Sequence, residues 1–201
     1  MSAAADTREL ILDAAEELAR GQGLGALSMR AIAERTGLSA PAAYRHFAHK
    51  EALVGALVER GFRGFVAGLE SARFGMQDPL ERLRATFAYY LSFWTNDPRG
   101  FEFMAERGSV KNGLSGGAVA SGSFGDVPEL TAEVLGPAIP QAEKERIGRW
   151  TAVALYGIAL SFSADGEVEA KRRKEDIDSA ADYLIRAIRA AADAPSSNTG
   201  A

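Results

Sequence analysis

In the stretch SMRAIAERTGLSAPAAYRHF (Ser28–Phe47), a small residue, Ala33, stands four positions before a glycine, Gly37. This spacing constrains the fold more than any other feature of the chain. Two short helices can cross closely only where one of them carries a small side chain, and Ala33 supplies it. The sharp turn between them needs a residue that accepts positive φ, and Gly37 supplies that. Ile32, Leu38, Ala43 and Phe47 then fall where apolar side chains can pin the pair onto a third helix. Ser28 and Ser39 precede the two segments as N-caps. The pattern is that of a helix-turn-helix.

The flanking sequence supplies the third helix and a fourth. Asp6, with Glu9 three residues on, has the spacing of a capping box. Leu10, Ile11, Ala14, Ala15, Leu18 and Ala19 recur at helical period, and Gly21–Gly23 closes that segment. Leu24 and Leu27 pin the linker that follows. A helix starting near His49 or Lys50 carries Leu53, Val54, Leu57, Val58, Phe62, Phe65 and Leu69 inward. Further helices are expected from Pro79 to the NDP at 96–98, around Phe101–Arg107, from Pro128, over Gln141–Ala164 and over about 174–192. The Gly/Ser-rich stretch 108–128 reads as a mobile loop and 194–201 as a disordered tail. No alternating strand pattern is present. The expected fold is therefore all-α. A three-helix helix-turn-helix domain (1–50) joins a larger helical bundle (51–193).

Charge marks the first unit. The chain carries -4 overall, yet residues 28–50 hold Arg30, Arg35, Arg45 and Lys50 against Glu34 alone, while 1–27 hold five acids against Arg8 and Arg20. A chain that is acidic overall but basic over one short unit suits a local anionic partner, double-stranded DNA. The front of the second helix of the pair is stripped of bulk: Ala40, Pro41 and Ala42. Short side chains let a helix end approach the floor of a major groove about 12 Å wide, and methyl groups can meet a thymine methyl. Pro41 is tolerated in a first helical turn. Tyr44 and His46 can donate to phosphates, and Lys50 adds charge beside the next helix start. Arg45 is the one long donor on that helix, suited to guanine O6/N7 or to phosphate. Ser28, Arg30 and Ser39 complete the expected contact surface.

Enzyme chemistry has little to build on. There is no cysteine, and both histidines, His46 and His49, lie in the basic unit. No carboxylate pair has a catalytic spacing and no GK[ST] follows the Gly-rich stretch. No metal site or cofactor is expected, nor catalysis. The longest apolar run, Ala152–Leu160, is far short of the ~20 residues of a membrane span. The N-terminus lacks a basic start followed by an apolar run. A cytoplasmic protein with no membrane role is expected.

Residues 8–60 resemble the N-terminal DNA-binding domain of the tetracycline-repressor (TetR) family, through S-M-R-A-I-A-E-R-T-G-L-S, Y-R-H-F and K-E-A-L. The resemblance implies that Tyr44, His46 and Lys50 touch the DNA backbone and that Ala40 to Ala42 reach bases. Ala43 departs from the bulkier aliphatic residue usual there, implying looser packing. The stretches PLERLRATFAYYLSFWTNDPRGFEFM and RWTAVALYGIALSF are similar, more weakly, to one C-terminal regulatory type of the family. That type carries a His-Gly pair where Tyr156–Gly157 stand here.

By this resemblance the bundle binds a small-molecule effector and forms a homodimer. The chain would be a ligand-responsive regulator of the repressor type, binding a palindromic operator and released by its effector. Phe87, Tyr90, Trp94, Phe101, Phe103, Met104, Trp150, Tyr156 and Phe162 are candidate pocket residues, with ordinary core packing as the alternative for each. Ala154, Gly157, Ala159 and Ser161, with Ala181, Leu184, Ile188 and Ala192, suit close helix packing between copies, or core. Gly61, Gly64 and Gly68 suit close helix approach, a bendable helix, or neither. KRRK (171–174), among acidic neighbours, reads as a solvated charged turn. The competing function is an all-helical small-molecule-binding protein or enzyme whose first helices are only structural. It leaves the change of charge sign at Ser28 without a reason.

Overall fold

The computed structural model describes residues 3–97, 100, 126–164 and 170–193. Among them are eight α-helices and no strand: α1 (Ala3–Gln22), α2 (Met29–Thr36), α3 (Ala40–His46), α4 (Lys50–Ala72), α5 (Pro79–Asn96), α6 (Val127–Leu135), α7 (Gln141–Ala164) and α8 (Ala170–Asp193). The fold is all-α, as the helical periodicity requires. The expected helix at 101–107, most of the Gly/Ser-rich stretch and the tail lie outside the described residues.

Each boundary in the first unit has a local cause. Gly23, at φ 78° and ψ 170°, takes a positive-φ extended conformation open to glycine and follows the end of α1, and a single 3₁₀ turn (Leu24–Ala26) comes next. Ser28 Oγ accepts from the Ala31 amide at 3.1 Å and opens α2, which Gly37 closes at φ 70°. Ser39 Oγ accepts from the Ala42 amide at 3.3 Å and opens α3, with Pro41 in its first turn. The cap of α4 is the imidazole of His49, whose Nδ1 accepts from the Ala52 amide at 3.1 Å. Helix α1 begins before Asp6, so that residue lies in the first turn rather than at the cap. There its carboxylate still complements the helix dipole.

Two apolar clusters organise the chain, and α4 contributes to both. The first gathers Ile11, Leu12, Ala15 and Leu18 of α1, Leu27 of the linker, Met29 and Ile32 of α2, Ala43 of α3, Phe47, and Leu53, Val54, Ala56 and Leu57 of α4. Leu38 packs at its edge. Ala33 is buried at the crossing, as its size demands. Leu10, expected inward, is exposed, and Leu12 takes its place in the core.

The second cluster joins Phe65 and Leu69 of α4 to α5, α6, α7 and α8. Phe65 stacks on Trp94 at 5.6 Å and meets Tyr90 and Phe93 edge-on at 5.9 and 5.2 Å, arrangements that suit the ring quadrupoles. Helix α8 starts at Ala170, so KRRK lies within its first turns rather than in a turn between helices.

The helical glycines have separate reasons. A Cβ on Gly68 would collide with the Tyr89 hydroxyl, and one on Gly148 would lie 2.9 Å from Pro128 Cα. These are close approaches of α5 to α4 and of α6 to α7. A Cβ on Gly64 would meet nothing within 4 Å.

Candidate nucleic-acid interface

Helix α3 has seven residues and only Ala43 fully buried. Ala43 is the sole anchor of the helix interior, with Phe47 fixing its end. The small side chain is fully enclosed, so the departure from a bulkier residue leaves α3 seated directly on the first cluster. Rotation about that anchor is set, and the opposite face must point outward. Ser39, Pro41, Tyr44 and Arg45 are exposed; Ala40, Ala42 and His46 are half-buried. Tyr44 is 51% exposed although aromatic. The first turn of α3 thus presents small side chains flanked by a tyrosine and an arginine.

The cations sort by what already holds them. Arg35 donates to Glu17 of α1 at 2.7 and 3.1 Å, tying α2 to α1. Arg30 pairs with Glu34 at 2.9 Å, but both side chains are well exposed. Such a pair is worth ~0–1 kcal/mol, so exchange of Glu34 for a phosphate costs little. Lys50 is half-buried and donates through Nζ to the Leu24 carbonyl at 3.1 Å. This bond ties the start of α4 to the α1–α2 linker and leaves two of three N–H donors. Arg45 has no ion-pair partner among the described residues. Ser28 and Arg30, at the start of α2, are exposed.

The residues named for a pocket are dispersed. Phe87 and Tyr90 are fully enclosed in the second cluster, where burial raises the Tyr90 phenol far above its ordinary pKa. They fill core rather than line space. Trp150 is 65% exposed on α7, and Tyr156 and Phe162 pack half-buried against the cluster. Phe101, Phe103 and Met104 lie outside the described residues. Trp94 lines a cleft of about 860 Å³ between α1, α4 and α5. Sequence reading missed the other walls of that cleft, because Arg20 and Asp97 meet across 77 residues and no local pattern joins them.

The residues named for an interface between copies also divide. Ala154, Gly157 and Ser161 are exposed on α7, in line with Trp150 and near Leu160. Ala181, Leu184 and Ile188 of α8, like Ala159, are instead buried in the chain's own core. The reason is periodicity: the small and branched residues of α8 face α5 and α7, and its exposed side carries Tyr183. No described helix is long and apolar enough to cross a membrane, and no described cluster of three ligating side chains suits a metal ion.

Comparison with known proteins finds similarity to DNA-binding regulators. Residues 11–57 match the family model of bacterial regulatory proteins, tetR family. The chain is 32% identical over 105 residues to the HTH-type transcriptional activator FasR of Mycolicibacterium smegmatis. That match spans 52% of this chain and 48% of FasR, about half of the relative's length. A TetR-like transcriptional regulator from Rhodococcus sp. RHA1 superposes with TM-score 0.65 at 26% identity, covering 90% of this chain and 93% of that one. TetR from Acinetobacter baumannii AYE, solved with minocycline, shares the fold at TM-score 0.58 and 20% identity, over 92% and 97% of the two chains.

Proposed function

Because this chain carries a tetR-family DNA-binding domain on a body folded like those of TetR-type regulators, we propose that it is a ligand-responsive transcriptional regulator. It binds a palindromic operator as a homodimer and loses that operator when a small-molecule effector binds. One observation carries the reading: the α3 face is left bare, small at its front and flanked by Tyr44 and Arg45. A purely structural helix of this length would gain more by burying its aromatic residue.

In this account residues 1–50 hold the DNA contacts and residues 51–193 the effector and the second copy. Ala40, Pro41 and Ala42 press toward base edges. Tyr44, His46, Lys50, Ser28 and Arg30 hold phosphates, and Ser39 fixes the helix end. Arg45 reads a guanine. A single seven-residue helix makes few contacts, and two copies held ~34–36 Å apart read two half-sites. The exposed line Trp150, Ala154, Gly157 and Ser161 on α7 is the seat of the second copy. A Cβ on Gly157 would meet nothing within 4 Å, so a partner helix can approach its backbone.

An occupied operator excludes polymerase, which gives repression. Activation is the second reading, favoured by the description of FasR as an activator. The test is binding of duplex DNA by the purified protein across a NaCl series. The account expects log K to fall linearly with log salt. Failure to bind any duplex at low ionic strength would overturn it. A reporter gene carrying the selected operator separates repression from activation.

A further inference from the structure

The nitrogen that caps α4 stands between two partners with opposite demands. His49 Nδ1 accepts from the Ala52 amide at 3.1 Å, and the same atom lies 3.4 Å from Glu51 Oε2. An amide N–H needs a nitrogen with a free lone pair, whereas a carboxylate needs a nitrogen that carries a proton. One atom cannot serve both at once. We propose that His49 is a positioning residue for DNA binding whose partner is chosen by a proton, so that duplex binding by this chain is coupled to proton uptake. The proposal rests on the regulatory reading above and adds His49 to the residues that support Lys50.

In the neutral ring the hydrogen sits on Nε2, and Nδ1 is left to the Ala52 amide. That bond satisfies one of the donors that a first helical turn leaves over. The turn it fixes includes Lys50, whose Nζ donates to the Leu24 carbonyl at 3.1 Å. Once a proton from solvent binds Nδ1, that nitrogen no longer accepts. Its N–H donates to Glu51, and the Ala52 amide turns to water, since the cap lies at the surface.

Charges around the ring pull both ways. Glu51 favours the proton, and it is the carboxylate paired with His49 among the described residues. The neighbouring elements bring mostly cations, which oppose it. Arg45 and His46 end α3, and Lys50 is the next residue of α4. Arg8 of α1 lies 5.1 Å over the Phe47 ring, its charge shared with Glu9 at 3.8 Å. Arg30 and Arg35 of α2 are paired with Glu34 and Glu17. The α1–α2 linker offers only the neutral Leu24 carbonyl. Phosphates arriving at this face add negative charge beside Glu51 and draw the proton on.

The proton changes what α4 shows a duplex. Beside a neutral ring, its first turn presents one cation, Lys50, and one carboxylate, Glu51. Beside an imidazolium, Glu51 is neutralised and the turn is net positive. A duplex binds the second state better, so acid strengthens binding. Loss of the cap opposes this by loosening the turn. The added charge wins, because it acts on every phosphate within a Debye length of about 8 Å. The cap is one surface bond, replaced by the pair with Glu51, and the Leu24 bond still holds Lys50 from the linker side.

Full-length protein labelled with heavy nitrogen at histidine and alanine tests the switch by magnetic resonance. From about pH 8 to about pH 6 the Ala52 amide signal should move with the His49 ring and share its midpoint. Glu51→Gln should lower that midpoint, since the carboxylate that draws the proton is gone. A labelled duplex, recovered by selection from random DNA, supplies the functional arm over the same range at fixed salt. Wild-type affinity should rise about threefold or more beyond the rise shown by His49→Asn, which caps through an amide oxygen at every pH. His46 titrates in both proteins and drops out of that comparison. Both substituted positions are exposed, so neither change disturbs the core. Glu51→Gln should gain less affinity on acidification than the wild type. An Ala52 amide that ignores the ring, or parallel affinity profiles for wild type and His49→Asn, would overturn the proposal. Parallel profiles in protein that binds DNA sink this proposal alone, whereas protein that binds no duplex at any pH sinks the regulator with it.

Discussion

Arg45 and Lys50 flank the same surface, yet their surroundings assign them different work. Arg45 stands at the end of α3 without an ion-pair partner among the described residues, and Lys50 spends one donor on Leu24. Arg45→Ala should relax base preference at one operator position and cost ~1–3 kcal/mol if the contact is bidentate. Selection of bound sequences checks it, and an unaltered motif would move Arg45 to a phosphate. Lys50→Ala should weaken binding to all sequences and reduce the salt slope by about one. Its lost bond to Leu24 also loosens the linker, so a melting curve must accompany the NaCl titration. Tyr44→Phe should weaken all operators alike, since only a hydroxyl is removed. Sequence alone placed Tyr44 and Arg45 on the outward side of α3, where both are exposed, because a single buried residue, Ala43, fixes the rotation of so short a helix. The Lys50–Leu24 bond was not legible, since a lysine that holds a carbonyl and one that awaits a phosphate look alike in a string of letters.

Among elements, α3 is the most dependent on its end. With seven residues it has few internal hydrogen bonds, so the Ser39 cap carries a large share of its stability. Ser39→Ala should cost ~0.5–2 kcal/mol. Urea denaturation checks that value, and operator affinity should fall further as the helix frays. The opposite kind of constraint governs α7, where Gly148 lies against Pro128. Gly148→Ala should destabilise the body although alanine is worth ~1 kcal/mol more than glycine in an open helix. A raised melting temperature would contradict the packing described. Element boundaries were legible where a residue has one conformational use, as at Gly37, Ser39 and Pro79. They failed where chemistry is ambiguous. The start of α8 at Ala170 was hidden by charges that suit a turn as well as a helix surface. Leu10 and Leu12 exchanged roles because both fit an apolar stripe at α1's period.

At the scale of the whole molecule, the exposed tryptophan in line with alanine, glycine and serine on α7 is the seat proposed for the second copy. Ala154→Glu with Gly157→Glu should convert a dimer to a monomer of unchanged helicity, read by sedimentation, and should abolish tight operator binding. A dimer that survives both changes would place the contact elsewhere. Long-range geometry was the least legible part of the chain. The cleft forms where α1, α4 and α5 meet, and the interface residues expected on α8 turned out to be core, because which face of a helix is buried depends on neighbours far away in sequence. The central claim is that the bare front of α3 enters a DNA major groove. Selection of bound duplexes from a random pool by the purified chain tests it most directly. The account predicts one enriched inverted repeat whose half-sites lie about one helical turn apart. A pool that returns no enriched sequence at low ionic strength would contradict it.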